Sequence, residues 1–327
     1  MNPFKFSMAQ SASEAITMLV KNDNAALLGG GTNLLDLMKE HVSAPSEVID
    51  INRLELKAIR QSATGISLGA LARNTDTANH PLVRKDYPML SKAILAGASA
   101  QIRNMATNGG NLLQRTRCSY FYDIAMPCNK REPGSGCSAM EGFNRMHAVF
   151  GWSDKCVAVY PSDMAVALSA LRATIRVLKP DGSSRDIGFD DFHLLPGEHP
   201  EKDNSLQHGE LITSIEIPEN KFASHAAYVK VRDRNSYAFA LVSVAAGIVL
   251  EGERISAVHI SMGGVAHQPW RALKAEEFLK GKTATATNFR QAAEAEMALA
   301  KPLSHNKFKV QMGINSITKA LEMALKG

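Results

Sequence analysis

The chain has 327 residues, 45% of them hydrophobic and 21% charged, enough for two or three packed domains and ordinary for a globular protein. A net charge of +5 is spread along the sequence with no basic block interleaved with aromatics; this argues against nucleic-acid binding and suits an anionic cofactor or an acidic partner. No apolar run is long enough to span a bilayer, and Met1–Gln10 holds one lysine and no apolar core, so a secretory signal is not expected there.

Ser11–Asn22 predicts a helix, because Ala15, Ile16, Leu19 and Val20 fall on one face. Ala25–Leu28 is a short apolar strand running into a glycine turn, after which Leu34–Met38 starts a helix. Val48–Ile51 and Gly65–Leu71 are strand-like. Ser91–Ala100 predicts a small-residue helix leading to a second glycine-rich stretch. Leu112–Tyr160 then loses periodicity and is rich in Arg, Cys, Pro and Gly, as a loop pinned by side-chain ligation would be. Regular structure resumes at Pro161-Ser162-Asp163, which caps an apolar helix over Met164–Leu171. A strand over Thr174–Leu178, a turn at Pro180-Asp181-Gly182 and a strand over Leu211–Ile217 follow. From His225 onward, long strands (Ala226–Arg232, Ala238–Leu250, Ile255–Met262) precede helices at Lys274–Leu279, Phe289–Leu299 and Phe308–Leu325. This change of pattern predicts a larger domain over 1–221 and a smaller α+β domain over 222–327.

The first glycine run is Leu27-Leu28-Gly29-Gly30-Gly31-Thr32-Asn33-Leu34. Glycines after a strand let the backbone approach a phosphate and turn several N–H groups toward it, and Thr32 and Asn33 can add side-chain hydrogen bonds. The run is neither G-x-G-x-x-G nor a P-loop, and alone it reads as a tight turn. The second run, Thr107-Asn108-Gly109-Gly110-Asn111, has the same chemistry. Facing each other, the two runs can grip one pyrophosphate from both sides.

The four cysteines, Cys118, Cys128, Cys137 and Cys156, lie within 39 residues, and the rest of the chain has none, so they act as one set. Their C-x9-C-x8-C-x18-C spacing matches no short ferredoxin pattern. Four thiolates suit a [4Fe–4S] cluster and an all-cysteine zinc site equally well; two disulfides are a third option, less suited to a chain without a signal. His147, the only histidine in the insertion, reads as a surface residue. Asn111 precedes Cys118 by seven residues, and Cys156 precedes Asp163 by seven. The first sulfur is therefore within about 25 Å of the second glycine run even if the link is extended. Arg115, Arg117, Lys130 and Arg131 would stabilise an anionic cluster, and Tyr120, Phe121 and Tyr122 would shield it or pack the loop.

The two glycine runs, with Gln101-Ile102-Arg103-Asn104 leading into the second, resemble the FAD-binding medium subunit of the molybdenum hydroxylases over nearly the whole chain. That family includes xanthine dehydrogenases, carbon monoxide dehydrogenases and 4-hydroxybenzoyl-CoA reductases. Arg115-Thr116-Arg117-Cys118, Pro127–Arg131, Pro133–Cys137, Lys230–Arg234 and Ser236–Ala240 are most similar to its bacterial periplasmic aldehyde oxidoreductase branch.

The resemblance implies an α+β protein: a two-part FAD-binding domain of the vanillyl-alcohol-oxidase (PCMH) type, then a smaller α+β domain of the carbon monoxide dehydrogenase flavoprotein type. The two parts would cover about 1–58 and 59–221, with a cysteine-rich insertion at 112–160. It implies that Leu27–Leu34 and Thr107–Asn111 hold the FAD pyrophosphate, that Gly97 and Ile212 line the pocket, and that Asp163 contacts the cofactor and Lys230 lies near the flavin. From the sequence alone Asp163 reads equally as a helix N-cap, and Lys230 as a solvated strand residue. The insertion resembles that of subunits carrying an additional [4Fe–4S] cluster, with the four cysteines as its ligands, which favours the cluster over zinc.

The implied partners are a molybdenum-cofactor large subunit, a [2Fe–2S] small subunit and an external electron acceptor. Export to the periplasm on a partner's signal is expected, with a cytoplasmic complex as the alternative. No paired carboxylates or Ser/His/Asp arrangement stands out, so no catalytic acid or base is assigned. The rivals are a stand-alone FAD reductase of the same fold using NADPH, and a zinc-stabilised subunit with no redox role.

Overall fold

The computed structural model describes residues Met1 to Gly327 and builds three sheets in chain order. The first is parallel: β1 (Lys5–Met8), β2 (Ala25–Leu28) and β3 (Glu47–Asp50), in the order β1-β3-β2. Parallel neighbours need crossovers, and helices Ala12–Val20 and Leu34–Lys39 supply them. The Ser11 side chain caps the first by accepting from the Glu14 N–H at 3.1 Å. Its apolar face puts Ala15 and Ile16 in a small core with Ile49.

The second sheet is antiparallel: β4 (Ile59–Ser62), β5 (Gly65–Gly69), β6 (Thr174–Leu178), β7 (Ser184–Gly188) and β8 (Leu211–Pro218), in the order β4-β5-β8-β6-β7. All the helices of 74–112, the cysteine-rich segment and helix Asp163–Ala170 are inserted between β5 and β6. The largest core lies here, joining Leu68, Ile175 and Ile215 of the sheet to Leu90, Ile94 and Leu168 of the helices.

The third sheet is antiparallel, β12-β11-β10-β9, from β9 (Ala226–Val231), β10 (Val242–Glu251), β11 (Arg254–Gly263) and β12 (Trp270–Arg271). Helices Ala286–Met297 and Phe308–Lys326 cover one face, burying Phe289 and Ile317 against Val244 and Ile260. Helix Asp163–Ala170 is in contact with helix Pro88–Ala96 and with β10 and β11. Packed on several sides, it has every residue buried, which is why its sequence is apolar all round rather than striped. The architecture is the expected α+β arrangement.

Two predicted elements break where the chain turns toward the large cavity. Ser91–Ala100 is not one helix: helix Pro88–Ala96 stops at Gly97, Ala98 takes a positive φ of 49°, and Ser99 caps a new helix, Ala100–Met105, by accepting from Ile102 N–H. The strand expected from Ala238 starts at Val242, because Tyr237 adopts φ 51° and the segment before the strand is a loop. The edge strands β1, β4 and β7 have mixed exposure and carry little apolar signal of their own.

Candidate cofactor site

The two glycine runs touch. A Cβ on Gly30 would collide with the Met105 carbonyl and come within 3.0 Å of Ala106 Cα, and a Cβ on Gly29 would sit 3.0 Å from Thr107 Oγ1. Only residues without side chains allow backbones this close. Thr107 caps the short helix Asn108–Leu112, its hydroxyl accepting from Gly110 N–H at 3.2 Å. Asn108 is wholly buried, its amide bonded to the Gly69 carbonyl and to Asn74 and Thr77.

A cavity of about 640 Å³ opens beside this junction. Thr32, Asn33, Gly97, Gly110, Asn111 and Asp163 reach its wall. The other predicted residues do not. Leu27 and Leu28 belong to β2, Gly29–Gly31 form the turn beneath, and Leu34 opens the following helix. Thr107, Asn108 and Gly109 support the second run from behind, and Ile212 is buried in β8 within the main core. Asn33 supplies the clearest sign of an absent ligand. Its Oδ1 accepts from the Arg115 N–H at 2.8 Å, while its Nδ2 is buried with no partner, a free donor that suits a phosphate oxygen.

Asp163 is not the helix cap; Ser162 is, accepting from Ala165 N–H at 3.0 Å. Asp163 follows it as the first helical residue, and both its oxygens are held. Tyr228 donates to Oδ1 at 2.6 Å and Lys230 to Oδ2 at 2.8 Å. Lys230 also donates to the Ala96 carbonyl at 3.1 Å, so it is a buried partner rather than a solvated strand residue. Burial, with the Asp163 charge beside it, raises the Tyr228 phenol well above its ordinary range. The effect is a carboxylate fixed at the cavity wall by two donors from β9.

The sequence placed none of Arg103, Arg117, Met146, Asp233, Arg234 or Tyr237–Phe239 in the cofactor pocket, yet all of them reach this cavity. Arg103 donates to the Gly97 carbonyl at 2.6 Å. Arg117 lies over the Phe239 ring, 5.4 Å from its centroid. A second chamber of about 340 Å³ shares Arg117, Met146, Ser162, Asp163 and Phe239 with the first, and reaches Cys118 and His147.

All four cysteines are free thiols lining one small space, and Cys128 and Cys137 face each other across an isolated antiparallel bridge. Burial pushes the Cys118 thiol up to about 11 and Cys156 up to about 12, with the Lys130 ammonium opposing it at Cys156. Lys130 is buried, lines the same space, and donates to Asp203 and the Pro200 carbonyl, both at 2.6 Å. The other expected cations are engaged elsewhere. Arg115 pairs with Asp203 at 2.6 Å, Arg131 donates to the Tyr120 and Phe121 carbonyls, and Arg117 faces the two chambers. Phe121 is buried against Cys128, whereas the Tyr122 hydroxyl turns out to Asp36.

His147 is a correction. It is buried, with Nε2 3.1 Å from Cys118 Sγ. The segment that follows it is tied to the C-terminal domain, Val149 and Phe150 N–H both donating to the Val265 carbonyl, and this draws the ring inward.

Residues 2–220 match the model for the FAD binding domain in molybdopterin dehydrogenase, and residues 226–324 the carbon monoxide dehydrogenase flavoprotein C-terminal domain. The chain is 46% identical to the aldehyde oxidoreductase FAD-binding subunit of Escherichia coli, over 99% of both chains. It is 31% identical to the glyceraldehyde dehydrogenase medium chain of Sulfolobus acidocaldarius, over 85% of this chain and 82% of that one. Carbon monoxide dehydrogenase from Hydrogenophaga pseudoflava superposes with a TM-score of 0.78 at 26% identity, covering 99% of each chain. FAD is named for the matched N-terminal domain and for the Escherichia coli relative. With both family models matched end to end across its three sheets, the chain belongs to the FAD-binding flavoprotein subunits of the molybdenum hydroxylase family.

Proposed function

We propose that this chain is the FAD- and [4Fe–4S]-carrying electron-transfer subunit of a molybdenum-dependent aldehyde or xanthine-type oxidoreductase. In this reading a large partner oxidises the substrate at molybdenum, and a small partner relays electrons through [2Fe–2S] clusters. This chain then passes them through FAD to an external acceptor. Location in the periplasm, reached on a partner's signal, is part of the proposal.

The observation that carries it is the placement of Cys118. Four thiols line one space, and Cys118 also borders the chamber that shares a wall with the flavin cavity. No three His, Cys, Asp or Glu side chains close in on a single metal ion. A redox-active cube beside the flavin cavity would have a use there that a zinc ion would lack. Lys130 supplies buried positive charge beside a group that would be anionic.

FAD, when bound, supplies the electron exchange itself. The chain's residues would hold and orient it: Asn33 Nδ2 is free for a phosphate oxygen, the glycine junction sets Thr32 and Asn33 with Gly110 and Asn111 around one cavity, and Lys230 and Tyr228 fix the Asp163 carboxylate at its wall. No general acid or base is required of this chain. Anaerobic co-purification from the native host with metal and flavin analysis tests the reading. The expected result is FAD, iron and sulfide on this chain and molybdenum on a large partner. Zinc without iron, or NADPH oxidation by this chain alone with no molybdenum-containing partner, would refute it.

A further inference from the structure

His147 belongs to the cysteine-rich segment, yet the C-terminal domain holds it. Lys309, a buried lysine of the last helix, donates to the carbonyls of Met146, His147 and Gly264 at 3.0, 2.9 and 2.7 Å. Asn306, just before that helix, donates to the His147 and Ala148 carbonyls, each at 3.1 Å. So anchored, the ring lies tilted beside Tyr120 with Nε2 at 3.1 Å from Cys118 Sγ. Nδ1 is buried without a partner. A neutral imidazole carries one N–H, and a ligating sulfur only accepts, so a proton on Nε2 is the arrangement that forms this hydrogen bond. Of the four cysteines, only Cys118 lines both the thiol space and the chamber that shares a wall with the flavin cavity.

We propose that His147 is a positioning residue that donates its Nε2–H to Cys118 Sγ and raises the reduction potential of the cluster at the sulfur facing the flavin, with Lys309 and Asn306 holding the ring in place. The inference rests on the cluster reading above. A hydrogen bond to a ligating sulfur draws electron density from it and favours the more negative, reduced cluster. Because the anchor comes from the last helix, the docking of the C-terminal domain sets the potential of a centre carried by the first.

The test is an EPR-monitored redox titration of the purified complex carrying His147→Leu, which keeps bulk but has no donor, and His147→Gln, whose amide can donate. Iron content should stay unchanged in both. In the leucine variant the equilibrium for cluster reduction should weaken about tenfold, equivalent to about 59 mV for one electron; the flavin potential should not move, and glutamine should restore most of the loss. A fully loaded leucine variant with the wild-type cluster potential would overturn the proposal. If that variant fails to assemble, pulsed EPR of the reduced wild-type complex with labelled histidine decides: a coupled histidine nitrogen supports the proposal and its absence overturns it. A wild-type complex with no iron on this chain, only that of the small partner's [2Fe–2S] clusters, would instead show that the cluster reading itself has failed, before any variant is made.

Discussion

Gly30→Ala probes the junction on which cofactor binding depends. The added methyl would collide with the Met105 carbonyl and crowd Ala106 Cα, and both are backbone atoms that cannot rotate away. Relief requires the first glycine run to separate from the second, which moves Thr32 and Asn33 away from Gly110 and Asn111 across the cavity. Overpacking of this kind costs about 1–3 kcal/mol. Where the strain is relieved by opening the junction, it appears as about 5- to 150-fold weaker FAD binding; where the junction stays closed, it appears as lost stability of the flavin-free protein. Titration of the flavin-free chain with FAD, followed by flavin fluorescence, and thermal unfolding of the same sample measure the two. Gly188→Ala is the control, because its new methyl would meet only the tip of the Asp191 side chain at 3.2 Å. A Gly30→Ala variant with both wild-type affinity and wild-type melting would refute the claim that the two runs are in contact.

Other outcomes follow from the same geometry. Lys230→Met strands the buried Asp163 carboxylate with Tyr228 alone, at a cost of about 3–5 kcal/mol and a fall of roughly 4–7 °C in Tm. Adding Asp163→Asn should recover much of it, and an unchanged melting curve for the single variant would contradict the pairing. Alanine at any one of Cys118, Cys128, Cys137 or Cys156 should abolish the iron content and leave FAD bound; full iron retention in any of the four would remove that residue from the ligand set. Burial holds His193 down to about 4 and His267 to about 3, below their unfolded value of about 6.5. Because the folded values are depressed, the associated stability is complete above pH 6.5 and is lost as pH falls from there toward 4. Urea midpoints between pH 7 and 4.5 read this directly. His267→Leu, which removes two buried ring nitrogens without partners, should raise stability by about 1–3 kcal/mol at pH 7 and flatten the acid slope. A steeper slope would contradict it.

What the sequence reveals is mostly what a local pattern can encode. Ala25–Leu28 is an apolar run ended by glycines, and its strand has those same bounds. The helix after Ser162 carries both its cap and its apolar run in one stretch. Strands β1, β4 and β7 lie at sheet edges, where side chains face water and no alternation is imposed. The site is harder to read, because its geometry comes from segments far apart in the chain. That Gly30 meets Met105, that Lys230 reaches Asp163, and that Arg117 lies over Phe239 are consequences of packing between sheets, with no periodic trace. His147 shows the same limit: a lone histidine in a loop gives no sign that a lysine 162 residues later will anchor its backbone. The breaks at Ala98 and Tyr237 were hidden for a different reason. Neither residue is glycine, so nothing marks the positive φ that turns each segment toward the cavity.

The most direct measurement is the visible spectrum of this chain, separated without oxygen from the purified complex, with its iron, sulfide and flavin quantified. The account predicts flavin bands over a broad iron–sulfur absorption, with four irons and four sulfides for each FAD. A colourless chain, or one that is yellow but holds zinc in place of iron, would contradict it.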